Sequence, residues 1–297
     1  MKGSPTELRN PRAVGIDEKS TEEVLRIISS EDRLVPIAVA AEIPRIAEAA
    51  EAVAAVLRGG GRVFFAGAGT SGRLGVMEAA EMAPTFGVPP DTFQAVIAGG
   101  PEAVFRSVEE AEDDEAAGGR ALDQRGLGRG DILVALSASG RTPFVIGALR
   151  RARERGARTV AVTCNPGSPA AELADISIAP EVGAEVVAGS TRMKAGTAQK
   201  LVLNMLTTAA MIRLGKVHDG YMVGVQPSNR KLRERARRIV EALAGVGPEE
   251  AAEALEHAGG DVRVAVLLAE TGAAPAEARR ALDRAGGSLR RALEALR

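Results

Sequence analysis

The sequence predicts an α/β fold: a parallel sheet between two layers of helices, preceded by further helices and followed by a small helical tail. Short apolar runs recur at Arg62–Ala66, Gln94–Ala98, Ile132–Ser137, Thr159–Thr163 and Ile176–Ile178. Helical stretches near 72–83, 102–116, 142–155 and 169–174 separate them. The runs are apolar throughout rather than alternating, which is the pattern of strands covered on both faces. Strands that alternate with helices pair in parallel through helical crossovers, so the expected architecture is three layers, α/β/α.

Ahead of the first strand, Thr21 to Ser29 and Val35 to Leu57 carry apolar residues at helical spacing, and Gly59-Gly60-Gly61 stops the second stretch. Beyond the last strand, Thr197 to Leu214 is apolar almost all round, with Leu201, Val202, Leu203, Met205, Leu206, Ala209, Met211 and Ile212. That predicts a buried helix, part of whose surface a second subunit would cover. A polar helix is expected from Ser228 to Leu243. From Pro248 the character changes, and "ALEHAGGDVRVAV" at Ala254 returns as "ALDRAGGSLRRAL" at Ala281. Each copy is a helix end, a Gly-Gly turn and a new helix. Their spacing resembles ubiquitin-associated (UBA-like) three-helix folds, and a packing or dimer-supporting cap accounts for such a tail without a separate activity. The chain thus reads as an N-terminal helical segment (1–58), a main domain (59–220), a connecting helix (221–247) and a small helical domain (248–297).

Composition narrows the chemistry. The 297 residues, 45% of them hydrophobic, suffice for one large domain and one small one. With no Trp, one Tyr and a formal net charge of −1, the chain lacks both the stacking surfaces and the positive field that nucleic acid requires. A single cysteine, Cys164, forms no internal disulfide and fits a reducing, cytoplasmic location. No cationic-then-apolar leader and no apolar run near 18 residues is found, so neither secretion nor membrane insertion is expected. His218, His257 and Cys164 are scattered, so no metal site is expected, and no cofactor. Catalysis would rest on carboxylates, hydroxyls, Lys, Arg and backbone dipoles.

Two strand-to-helix turns supply such groups. In "FFAGAGTSGRLGVMEAAEMAPTFG" a buried strand runs into a tight loop, Gly67 to Ser71, and then a helix from Leu74 to Met82. Free amides at a helix start, with glycines for close approach and hydroxyls as donors, make an anion site most often filled by phosphate. Here the groups are Gly69, Thr70, Ser71 and Gly72. "ALSASGRTPFVIGAL" repeats the arrangement with Ser137, Ser139, Gly140 and Thr142, and with Pro143 in the first helical turn. One Ser-rich turn is ordinarily just a helix cap; two at neighbouring strand ends favour a phosphate. Arg73 and Arg141 follow the glycines and could reach an oxyanion, although an arginine at a helix start is more commonly solvated or ion-paired. Glu78 and Glu81 lie close on one helix and are equal candidates for proton transfer. Glu112, among Glu109, Glu110, Asp113 and Asp114, reads by itself as a solvated charge.

The paired loops resemble the sugar isomerase (SIS) domain, a module that binds phosphosugars. "GAGTSGRLGVMEAAEMAPTFG", "IAGGPEAVFRSVEEAED", "LSASGRTPFV", "TCNPGS" and "EVVAGSTRMKAGTAQKLVLNM" together resemble the N-acetylmuramic acid 6-phosphate etherase family over Ala66 to about Leu232. The related glucokinase regulatory protein shares the domain type, which leaves a non-catalytic sugar-phosphate sensor as the alternative. The resemblance implies a cytosolic, homodimeric, metal-independent lyase of cell-wall sugar recycling. Its substrate would be a phosphosugar, whose lactyl ether is cleaved by elimination and rehydration. It maps the two acid/base glutamates onto Glu81, acid to the departing lactate and then base to water, and Glu112, base at carbon 2. Arg192 and Lys194 in "GSTRMKAGT" are expected to close over the lactyl carboxylate, with an N-cap at Ser190 or Thr191 as the plainer account, and Glu185 to touch sugar hydroxyls. His218 is a ring-opening candidate by the same resemblance, or a charge at a helix C-terminus. Met82-Ala83 stands where the family usually has Cys-Pro, and Glu78 where Asp is common. Neither position carries a proton in this scheme, so the departures bear on pocket shape.

Overall fold

Five parallel strands form the centre of the computed structural model, which describes residues 5–225, 227 and 229–297. After short 3₁₀ turns come α1 (Thr21–Asp32), α2 (Val35–Ala41) and α3 (Ile43–Arg58). Strand and helix then alternate: β1 (Val63–Gly67), α4 (Gly69–Phe86), β2 (Phe93–Ile97), α5 (Glu102–Phe105), α6 (Glu115–Gln124), β3 (Ile132–Leu136), α7 (Pro143–Glu154), β4 (Arg158–Val162), α8 (Pro169–Leu173) and β5 (Ile176–Ile178). Beyond them lie α9 (Lys194–Arg213), the hairpin β6 (Val217–His218) and β7 (Tyr221–Met222), and α10 (Arg230–Ala244), α11 (Pro248–His257), α12 (Val262–Thr271), α13 (Pro275–Arg284) and α14 (Leu289–Leu296).

The strand order is β2-β1-β3-β4-β5, with Gly67 opposite both Ile97 and Leu136 in register. Chain connections therefore diverge on either side of the β1/β3 boundary, and a crevice opens at the carboxyl ends of those strands. Phe64, Ala66, Leu133 and Ala135 pack with Phe144, Val145, Ala148 and Leu149 of α7 on one face. On the other, α4 sits directly on the sheet: a Cβ at Gly75 would lie 2.9 Å from the Phe65 Cβ and 3.3 Å from Leu136 Cδ1. The three-layer α/β/α arrangement is as expected.

Several elements differ from the periodicity reading. The stretch 35–57 is two helices, broken at Glu42, because Pro44 has no amide to continue the ladder. The stretch 102–116 resolves into α5, a 3₁₀ turn at Glu109–Glu112 and α6, since Arg106 is extended and the Asp114 side chain caps a new helix by accepting from the Ala117 amide. Helix α9 is not buried all round: Met205 and Ile212 are exposed. The expected start of the polar helix, Ser228, lies outside the described residues; the helix there begins at Arg230 with Asn229 as its cap.

Contacts divide the chain into two compact units, one of Met1–Ala79 with Asp91–Thr207, the other of Ala80–Pro90 with Thr208–Arg297. The first holds the sheet. The second has its own core, in which Ala236, Ile239 and Val240 of α10 join Val262, Ala265, Val266 and Leu267 of α12 and Leu289 and Leu293 of α14. The internal repeat appears there as two helix pairs, α11–α12 and α13–α14, each turning on a Gly-Gly pair with positive φ.

Candidate functional site

The β1–α4 and β3–α7 loops leave adjacent strands at the β1/β3 crevice. In the first, close approach dictates glycine: a Cβ on Gly72 would come 2.5 Å from Ile97 Cγ1 and 2.8 Å from the Gly67 oxygen. Helix α4 starts earlier than predicted, at Gly69, so Thr70 and Ser71 lie in its first turn, where amides have no intrahelical acceptor. The Ser71 hydroxyl donates to Gln199 Oε1 at 2.8 Å. Gln199, on α9, is only 1% exposed, and its Nε2 has no partner among the described residues. A Cβ on Gly196 would be 3.4 Å from Thr70 Cγ2, so the start of α9 abuts the start of α4.

Hydroxyls organise the second loop. Ser137 Oγ and Thr142 Oγ1 are 2.9 Å apart and hydrogen-bonded, the Gly140 amide donates to Ser137 Oγ at 3.0 Å, and the Arg141 amide to Ser139 Oγ at 3.2 Å. Gly140 has φ +67°, and a Cβ there would fall 2.0 Å from Ser168 Oγ, so only glycine fits. Ser137 is buried, Ser139 and Thr142 half-buried, and Arg141 exposed.

The glutamates separate sharply. Glu112 ends the 3₁₀ turn and is half-buried, and its Oε1 would lie 3.0 Å from a Cβ on Gly69. Folding thus brings this residue to the first loop, and it is no solvated helix charge. Burial pushes its carboxyl above the usual range, Asp113 and Glu109 push it further, and Arg73 pulls back. Arg73 donates from Nε to the Val104 carbonyl at 3.1 Å and from Nη2 to the Arg106 carbonyl at 3.0 Å. Glu78 is 4% exposed and fully engaged, accepting from Lys200 Nζ and Thr207 Oγ1, each at 2.6 Å. Glu81, three residues on, is exposed. The structure therefore distinguishes two carboxylates that spacing left equal.

In the segment before α9, Glu185 is fully buried and accepts from the amides of Lys194 and Ala195 at 3.0 Å each, capping the helix from nine residues upstream. That cap replaces the one expected at Ser190 or Thr191. Lys194 is also sealed: at 2% exposure, its Nζ lies 2.6 Å from Glu31 Oε2, which accepts from Asn10 Nδ2 as well, at 2.9 Å. A buried ammonium needs a carboxylate of the protein's own, and this one has it. Glu185 and Lys194 are thus both buried and engaged within the protein, and Arg192 alone of that group is exposed. Glu31, Asn10, Gln199 and the Arg73 fork escaped the sequence reading, because each acts on a partner 21 to 163 residues away or through a backbone carbonyl.

Cys164 is buried, which pushes its thiol up to about 12, and it is no nucleophile there. His218 belongs to the second unit, where burial and Arg290 lower its pKa despite Asp219 and Glu270. Among the described residues no three His, Cys, Asp or Glu side chains gather as a metal site, and no helix is long and apolar enough to cross a membrane.

A five-stranded parallel sheet in this order, with hydroxyl-bearing loops at its switch point, defines the SIS class. The SIS domain model matches residues 118–209, and that of the glucokinase regulatory protein N-terminal SIS domain matches residues 45–153. A phosphoheptose isomerase from Francisella tularensis shares the fold, with a TM-score of 0.53 at 20% identity over 65% of this chain and 100% of that one. Full-length likeness is narrower. N-acetylmuramic acid 6-phosphate etherase from Rubrobacter xylanophilus is 53% identical over 262 residues, 88% of this chain and 87% of that protein. The enzyme of the same name from Symbiobacterium thermophilum is 54% identical over 262 residues, again 88% and 87%. The chain belongs to the N-acetylmuramic acid 6-phosphate etherase family.

Proposed function

We propose that this chain is a carbon–oxygen lyase that cleaves the lactyl ether of N-acetylmuramic acid 6-phosphate, giving N-acetylglucosamine 6-phosphate and D-lactate in the recycling of cell-wall sugars. One observation carries the reading of the site: the Glu112 carboxylate stands beside Gly69, at the mouth of the first anion-binding loop. A sugar phosphate held by the amides and hydroxyls of Gly69, Thr70, Ser71 and Gly72 and of Ser137, Ser139, Gly140 and Thr142 would present its carbons to that carboxylate.

In the elimination, Glu112 takes the proton from carbon 2 of the open-chain sugar. The electron pair left there forms the double bond to carbon 3, and the carbon–oxygen bond to lactate breaks. Glu81 gives its proton to the departing oxygen. In rehydration Glu81 takes a proton from water, whose oxygen adds to carbon 3, and Glu112 returns its proton to carbon 2. Each proton transfer is worth about 10²–10⁴-fold in rate. Its raised pKa makes Glu112 a stronger base than an ordinary carboxylate, and Arg192, exposed and forked, suits the lactyl carboxylate.

We place the enzyme in the cytosol as a homodimer. Leu25, Ile37 and Ile43 on α1 to α3 and Leu34 in the turn before α2 are exposed, Ile37 at 69%, a surface that a second copy would cover. Light scattering should give twice the chain mass. The functional test is lactate release from N-acetylmuramic acid 6-phosphate by the purified protein. Turnover is expected; tight binding of the sugar phosphate without release of lactate would favour the sensor.

A further inference from the structure

The sequence left Arg73 between an oxyanion contact and a solvated charge, and the structure shows neither. Its guanidinium donates to two backbone carbonyls, those of Val104 and Arg106, at the C-terminal end of α5. Last-turn carbonyls have no intrahelical donor, and a forked cation suits them both electrostatically and geometrically. From Arg106 the backbone is extended, and it leads within six residues to Glu112. Among the described residues the same guanidinium acts on the Glu112 carboxyl with a positive charge, against the nearby Glu109 and Asp113.

We propose that Arg73 is a positioning residue for Glu112: its two-pronged grip on the end of α5 fixes the backbone that delivers this carboxylate to Gly69. The inference rests on the reading of Glu112 as the base. It explains why an arginine follows the phosphate-loop glycines without turning toward the phosphate. Two carbonyls two residues apart suit the fixed, planar fork of a guanidinium, whereas the compact ammonium of a lysine holds its donors on one rotatable atom.

The test is the pH profile of lactate release for the full chain and for R73M, R73K and E109Q. In R73M, kcat should fall by about ten- to a hundredfold through misplacement of the base. Its acid limb should move up by about 1 unit through loss of the positive neighbour. Affinity for N-acetylglucosamine 6-phosphate, measured calorimetrically, should stay within about threefold, because uniform binding is not what is lost. R73K, which keeps the charge and loses the fork, should hold the acid limb near its original position yet recover only part of kcat. E109Q, at an exposed position, removes a like charge and should move the limb the opposite way, and it carries the electrostatic test if R73M does not fold. A loss of sugar-phosphate affinity in R73M with an unmoved limb would make Arg73 an anion ligand and overturn the proposal. Lowered thermal stability with an unmoved limb and unchanged kcat would reduce it to a helix cap, which also overturns it. Full activity in E112Q would instead refute the reading of the site beneath it.

Discussion

At the scale of single residues, Glu112 is held where its charge is least welcome. Its carboxyl is raised by burial and by Asp113 and Glu109, so the folded state binds this proton more tightly than the unfolded chain does. Its contribution to stability is therefore full below the unfolded value of about 4.3 and is lost as pH rises through the raised folded value. E112Q, neutral at every pH, should melt no lower than wild type at pH 7 while losing lactate release; a lower melting temperature would mean that the carboxylate is structural. Glu31 has the opposite sign. Burial alone would raise it, but Lys194, Asn10 and Arg12 hold it below the ordinary carboxylate range, so its stabilisation is present above about 4.3 and lost as pH falls through the folded value. Removing its partner strands a buried charge. K194M should lose about 3–5 kcal/mol of unfolding free energy, read by denaturant titration, and E31Q/K194M should recover part of it.

Among the elements, α4 places two similar side chains in different surroundings. Glu78 is buried and bound to Lys200 and Thr207; Glu81, almost one turn on, is exposed. E78Q should cost about 1.5–3 kcal/mol in stability, the worth of a charged hydrogen bond, and leave turnover within about tenfold. E81Q should lower lactate release by about 10²–10⁴-fold with sugar-phosphate affinity within a few-fold, and a reversal of these two phenotypes would exchange the roles. Legibility divides along the same line. The strands were readable because Ile132–Leu136 and its neighbours are apolar at every position, and the loops because Gly, Ser and Thr recur at strand ends. The break at Glu42 and the bond from Ser71 to Gln199 were not, since a proline two residues on disturbs no apolar period and hydrogen bonds between distant segments leave no local trace. Glu112 was legible only through family resemblance, because nothing in "EEAEDD" marks which carboxylate the turn points toward Gly69.

For the whole molecule, the sheet order opens a crevice at the carboxyl ends of β1 and β3, and the second unit has a core of its own. A chain ending at Gly247 would expose Ala236, Ile239 and Val240 of α10, which pack against the helices that follow. It should aggregate or lose solubility, whereas a soluble, folded product would show that those helices are dispensable to the rest. Chemistry remains the central claim, and it depends on which bond breaks. The most direct measurement is mass spectrometry of the products formed from N-acetylmuramic acid 6-phosphate in oxygen-18 water. Elimination and rehydration place the heavy oxygen on carbon 3 of N-acetylglucosamine 6-phosphate and leave lactate unlabelled. Label in the lactate hydroxyl, with none on carbon 3 of the sugar, would mean cleavage on the lactyl side of the ether and would contradict the account.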